Sequence, residues 1–234
     1  MTTAGPGRPR LSKQRRPGGT AAAEILDAAA ELFTTKGFAS TSTRQIADAV
    51  GVRQASLYHH FATKDDILVA LLEGTVSEAL TLANRLVDRP EPAAVRLYAL
   101  LLFDAGQLLS GRWNLGALYL LPELRTERFT RFREERRKLR TRYAHLSRLV
   151  RTDLAPHESG TAARDDDDVA RCGLPFRIVE TVINERSDAE STGDASDIVT
   201  ATTIATAGLL VLGWAGVDDL HPQAEALLEQ CREQ

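Results

Sequence analysis

The sequence predicts an all-α protein, an N-terminal three-helix domain carrying a helix-turn-helix followed by a larger helical domain. Three observations point there. No segment alternates apolar and polar residues as a half-buried strand would. Apolar residues instead recur at three-four spacing, and proline and glycine fall between the periodic stretches. Residues 41–64, TSTRQIADAVGVRQASLYHHFATK, hold two short amphipathic segments on either side of a Gly51-Val52 joint.

Helices are expected at 20–36, 43–50, 53–60, 63–88, 92–109, 113–121, 124–152, 168–187, 196–215 and 222–232. Ser42 with Gln45, and Thr63 with Asp66, have the spacing of capping boxes at two of these starts. Gly51 can take the positive φ that a helix C-cap needs before a sharp turn. Pro90 and Pro92 end the fourth helix, Gly111 the fifth, and Pro122 separates the sixth from the seventh. Pro156–Asp168 and Ser187–Ser196 read as polar loops. The domains are expected at 1–19 (a disordered basic arm), 20–65 and 66–234.

Within the helix-turn-helix, Ile46, Val50 and Leu57 pin the two helices together and Ala47 lies at their closest approach. Arg53, Gln54, Ser56, Tyr58, His59 and His60 stay off that core, an exposed face suited to phosphate oxygens and base edges. Charge agrees. Residues 1–64 hold nine Lys/Arg against four acidic residues, a balance of +5 in a chain of net charge −3. A basic end on an acidic body suits a protein that meets DNA with one end only. The arm residues Arg8, Arg10, Arg15 and Arg16 either follow the DNA or serve a solubilising tail.

The segments ILDAAAELFTTKGFAST, TRQIADAVGV and QASLYHHFATKDDILVALL, above all Leu57–Phe61 with Lys64 and Leu68, resemble the DNA-binding domain of the TetR family of bacterial transcriptional repressors. The resemblance spans roughly residues 20–75. It implies phosphate contacts by Thr43 and Lys64 at helix starts, with Tyr58 and His60 also on the backbone, and Arg44 on a base or phosphate. It makes Arg53, Gln54, Ala55, Ser56 and His59 the base-reading candidates. Position 55 is often proline in the family, so the helix start is less rigid here. The family also implies a ligand cavity in the body and hence a repressor released from its operator by a small molecule. The alternative is a DNA-binding regulator without small-molecule input, controlled by a protein partner or by nothing.

One short helix reads too few base pairs to find a genomic site, so a homodimer on a palindromic double-stranded operator is expected. Its interface is expected on the apolar helices near the C-terminus, at Phe176, Val179, Ile183, Ile198, Ala205, Leu209 and Leu212. Ile198–Val217 carries no charge over 20 residues and is read as a helix buried on both sides rather than a membrane span. Ile198, Ala205, Leu209 and Leu212 form one apolar stripe and Val199, Thr203, Leu210 and Val217 another, and with both faces apolar one of them is expected to be covered by a second copy of the chain.

Candidate pocket residues are the large or polar groups on apolar helices: Tyr98, Phe103, Asp104, Gln107, Trp113 and Tyr119, then Arg136, Tyr143, His145, Phe176 and Arg177. Their aromatic character suggests a hydrophobic effector. Arg136 interrupts an apolar stripe in a helix that is otherwise strongly basic. It either snorkels, pairs with an acid of another helix, or meets an anionic ligand. Asp165–Asp168 either begins a helix or holds a hard cation. No cofactor, metal site or catalytic motif is expected, and the two cysteines are too few for a disulfide framework, in keeping with a cytoplasmic protein. Met1–Gly19 lacks the apolar stretch of a signal peptide.

Overall fold

Local signals build the first three helices. Thr20 accepts the Ala23 N–H at 3.2 Å and starts α1, Ala21–Thr35. Ser42 and Gln45 form both halves of a capping box at the head of α2, Thr43–Val50. Gly51 closes that helix at φ 79, its N–H on the Ala47 carbonyl at 2.9 Å. The short α3, Gln54–Tyr58, follows at once. Thr63 and Asp66 then bond reciprocally, at 2.9 and 3.2 Å, at the start of α4, Lys64–Val87. The computed structural model describes residues 16–154, 166–193, 198–217 and 219–233; there the chain is helical, without strands among the described residues. Arg8, Arg10 and Arg15 lie outside the described residues, as do Asp165 and most of the expected arm.

Contacts divide the chain into two units, one up to Ala70 and one from Leu71 onward, the division falling within α4. In the first unit Ile25, Ala28, Phe33, Phe38, Ile46, Ala47, Leu57 and Leu68 make the core. In the second, α5 (Ala93–Ser110) is central and packs against α6, α8, α9 and α10. These are Thr130–Leu154, Leu174–Thr192, Ala201–Leu210 and Leu220–Arg232, with α7 at Asp166–Cys172. Helix α5 is long and apolar enough to cross a membrane, but 56% of that window is buried in the body, as in a core helix. Gly208 lets α9 approach α5 closely: a Cβ there would stand 2.7 Å from Leu101 Cδ1.

Several elements depart from the sequence expectation. The recognition segment is helical for five residues rather than eight, because the N–H groups of His60 and Phe61 both turn to the Leu57 carbonyl. Residues 113–121 form a 3-10 helix, Leu115–Leu120, where Gly116 passes tightly against Ile183. The long basic helix starts at Thr130, after two further 3-10 turns at Pro122–Arg125 and Glu127–Phe129. The expected helix 168–187 breaks at Gly173, and α8 continues to Thr192 through the stretch read as a loop. The uncharged segment yields ten helical residues, about 15 Å of helix, half of what a bilayer needs.

Candidate nucleic-acid interface and buried polar cluster

In the helix-turn-helix, Leu57 is buried with Ile46, Ala47 and Val50, which turns the remaining side chains of α3 outward. Arg53, Gln54, Ala55, Ser56, His59 and His60 are exposed, and Arg44 is exposed on α2. Tyr58 is 47% exposed, an unusual setting for so large a ring. Its hydroxyl lies 3.1 Å from Thr43 Oγ1, and Gln54 Nε2 donates to both oxygens, at 3.0 Å to Thr43 and 3.2 Å to Tyr58. Three candidate DNA-contacting residues from two helices are thus tied into one surface cluster, which limits their rotamer freedom before any partner arrives.

Lys64 sits differently from the surface position its expected role suggests. Its ammonium donates to the Phe38 and Thr41 carbonyls at 2.7 and 2.9 Å and lies 4.1 Å above the Phe38 ring. Two of its three N–H groups are therefore spent inside the domain. Arg16 is likewise committed to the fold, with Nη1 2.9 Å from Asp27, Nη2 2.6 Å from Glu31 and Nε donating to the Ala49 carbonyl at 3.3 Å. Only five residues before α1, it is held by that helix's acids and is not part of a free arm.

In the body the structure brings six of the candidate pocket residues together. Tyr143 donates to Asp104 at 2.8 Å, deep in the core, and its ring meets Phe176 edge-on at 5.5 Å. Burial pushes the Asp104 carboxyl from 3.8 up to about 7, against the lowering pull of the Tyr143 hydrogen bond and with a smaller push from Glu180. Burial likewise raises the phenols of Tyr119 and Tyr143, keeping both neutral donors. Arg136 pairs with Glu180 of α8, so of its three expected fates the ion pair is realised. Its guanidinium lies 5.3 Å from the Tyr119 ring and 5.5 Å from Phe176. Tyr119 bonds Thr75 Oγ1 at 2.7 Å, and Gln107 Nε2 donates to the Thr75 carbonyl at 2.9 Å. The Gln107 Oε1 and Arg136 Nε atoms are buried without a hydrogen-bond partner.

The other five candidates lie apart from this cluster. Tyr98 is buried against His221 at 6.1 Å, and Phe103 lines a separate groove of about 1010 Å³. Trp113 stacks with Arg112 at 4.8 Å, and Arg177 is exposed. His145 is among Arg142 and Arg148, its imidazole lowered first by burial and then by those charges. Thr75 and Glu180 went unnoticed in the sequence. Each is a polar residue at a core-facing register of an apolar helix, the same signal that singled out Arg136.

Phe176, Val179, Ala205, Leu209 and Leu212, expected at a dimer face, are buried inside the single chain, because they occupy the inward stripes of α8 and α9. Ile183 and Ile198 are half-buried. The outward face of α9 carries Thr203 and Leu210, the latter 53% exposed. Asp166–Asp168 form the first turn of α7, and Asp168 accepts from Arg151 at 3.0 Å. Cys172 and Cys231 are free and buried.

Residues 25–71 match the profile of the bacterial regulatory proteins, tetR family. AmtR of Mycobacterium smegmatis, known as a crystal structure, is 53% identical, with 93% of this chain and 98% of that one covered and a TM-score of 0.82. The HTH-type transcriptional repressor KstR2 of Mycobacterium tuberculosis (strain CDC 1551 / Oshkosh) is 36% identical over 77 residues, which span 33% of this chain and only 38% of that protein. The structure of the ketosteroid transcriptional regulator KstR2 of Mycobacterium tuberculosis shares the fold, with a TM-score of 0.61 at 20% identity, covering 86% of this chain and 97% of that one.

Proposed function

The chain belongs to the TetR family of bacterial regulatory proteins, and from that premise we propose that it is a dimeric repressor released from a palindromic operator by a small-molecule effector. The observation that carries the reading is the outward face of α2 and α3, where Thr43, Gln54 and Tyr58 are held together by mutual hydrogen bonds. In this reading Thr43, Tyr58 and His60 bind backbone phosphates. Arg44, Arg53, Gln54, Ala55, Ser56 and His59 face the bases or the phosphates beside them. Lys64 acts mainly by fixing the start of α4 against the loop before α2. An operator read by two such faces has its half-sites about one helical turn apart, some 34 Å.

The dimer is assigned to the outward faces of α8 and α9, where Leu210 offers an exposed apolar anchor. The effector is assigned to the body, near the cluster of Asp104, Tyr143, Arg136 and Glu180. Asp104 and Tyr143 are buried and the Arg136–Glu180 pair is half-buried beside them; buried ionisable groups are costly to a fold and gather where a ligand is recognised. The effector acts by binding better to the form that does not match the operator. A regulator without small-molecule input is the second reading, favoured by the packing of Tyr98, Tyr143 and Phe176 into the core.

Selection of bound duplexes from a random pool tests the proposal. The expected outcome is an inverted repeat, with Gln54→Ala relaxing the preference at one step of each half-site by about 1–3 kcal/mol. Lys64→Ala should weaken all sequences alike. A selected pool without an inverted repeat would reject the dimeric reading.

A further inference from the structure

The DNA-facing domain leaves the strongly basic stretch 123–151, eleven Lys/Arg against four Glu, unexplained. Much of that charge converges. Arg125, Arg133, Arg136, Arg137 and Arg140 line one groove of about 440 Å³, and no acidic residue lines it with them. Arg133 is turned to the Leu124 carbonyl, to the Thr126 carbonyl at 2.6 Å and to Thr130 Oγ1 at 2.9 Å. Arg136 has Glu180. Arg125, Arg137 and Arg140 are exposed and have no ion-pair partner among the described residues.

The rest of the lining is apolar, with Tyr119, Leu124 and Phe132 among it. Leu120, at its rim, is 89% exposed, the most exposed large apolar side chain among the described residues. A merely solvated charged face has no need of such a floor, and the rings in it are not open platforms for bases, since Phe132 is buried and Tyr119 is half-buried and tied to Thr75. Unpaired guanidinium groups beside open leucine side chains match a ligand with an anionic head and an apolar tail. The groove's volume falls within the range of small-molecule sites, roughly 300–1000 Å³.

Arg136 joins this groove to α8. It lines the groove, stands between the Tyr119 and Phe176 rings, keeps a buried Nε without a partner, and is held by Glu180. We infer that the groove binds an amphiphilic anion, an alkyl or aryl chain ending in phosphate or carboxylate, whose head group takes Arg136 from Glu180 and loosens α8 from α6. The consequence for DNA rests on the effector-released reading above; the binding site itself does not.

Titration calorimetry on the full chain tests it, with dodecyl phosphate below its micellar concentration as the probe. Inorganic phosphate and neutral dodecyl maltoside each supply half of the ligand, and phosphatidylglycerol vesicles supply the same chemistry as a lipid surface. Dodecyl phosphate should bind one per chain, at least about tenfold tighter than either half-ligand. The double variant Arg137→Ala/Arg140→Ala, at exposed positions, should weaken it by about tenfold or more with the unfolding transition in place. Glu180→Gln should tighten it by about fivefold, since the anion's competitor is gone; a merely structural Glu180 would not produce a gain. Equal binding by the double variant, or by inorganic phosphate alone, overturns the site. So does binding to vesicles without binding to the soluble probe, and an unchanged affinity in Glu180→Gln overturns the link to α8. Release of operator DNA is read in the same samples. Binding without release upholds the groove and rejects the effector reading. Release by another small molecule, with no binding of dodecyl phosphate, rejects the groove and leaves the effector reading standing.

Discussion

Replacing Asp104 by Asn should remove a pH dependence from the stability of the body. Asp104 is buried and accepts from Tyr143 at 2.8 Å, and burial holds its carboxyl at about 7 instead of 3.8. The unfolded chain releases this proton near pH 4 and the folded chain near pH 7. Between those values the folded state holds one more proton, so stability falls as pH rises. The contribution is fully present below pH 4 and is lost on passing through about pH 7. The slope is about 1.4 kcal/mol per pH unit in that window, which makes the loss about 3 kcal/mol between pH 5 and pH 8. Asparagine keeps the shape and the acceptor for Tyr143 and has no proton to lose. Urea unfolding followed by tryptophan emission isolates the effect, because the two tryptophans, Trp113 and Trp214, both belong to the unit that begins at Leu71. Relative to the parent, the variant should gain about 3 kcal/mol on moving from pH 5 to pH 8. If parent and variant lose stability in parallel over that range, Asp104 does not carry the raised pKa and the reasoning fails.

Two further outcomes follow from packing. Gly208→Ala would set a Cβ 2.7 Å from Leu101 Cδ1, and the resulting strain of about 1–3 kcal/mol should exceed the helix-propensity gain of about 1 kcal/mol. A higher urea midpoint for this variant would contradict the close α5–α9 approach. Leu210→Arg, on the outward face of α9, should turn a dimer into a monomer in sedimentation at micromolar concentration. A dimer that survives the substitution has its interface elsewhere.

The first unit was legible because its determinants are short-range. Ser42 and Gln45, Gly51, and Thr63 and Asp66 each act within a few residues, and α2 has the bounds that those signals predict. The end of α3 was not legible. Apolar periodicity runs on past Tyr58, whereas the turn at His59 and His60 is made by backbone bonds to one carbonyl. In the body, Ser187, Ser191 and Thr192 read as loop residues. Their hydroxyls bond back to the carbonyls of Ile183, Ser187 and Asp188, at 3.0, 2.8 and 3.0 Å, and α8 continues to Gly193. The uncharged segment looked like one long helix, yet Gly213, at φ 90, ends it in a turn that hydrophobicity does not encode.

The candidate site divides the same way. That residues 41–64 present Arg, Gln, Tyr and His outward follows from period and capping, which the sequence by itself determines. That Thr43, Gln54 and Tyr58 bond one another, and that Lys64 and Arg16 turn inward, depends on distances between helices. The body follows the same rule. Period marked Arg136, Tyr119, Tyr143 and Asp104 as polar groups on apolar helices, while Glu180 became the partner of Arg136, and Thr75 that of Tyr119, only through the packing of α8 and α4. A stripe read from sequence has two sides, and nothing local says which is inward. Tertiary packing buried Ala205 and Leu209 and left Leu210 in solvent, because α5 and α8 pack against α9 without covering the side that carries Leu210.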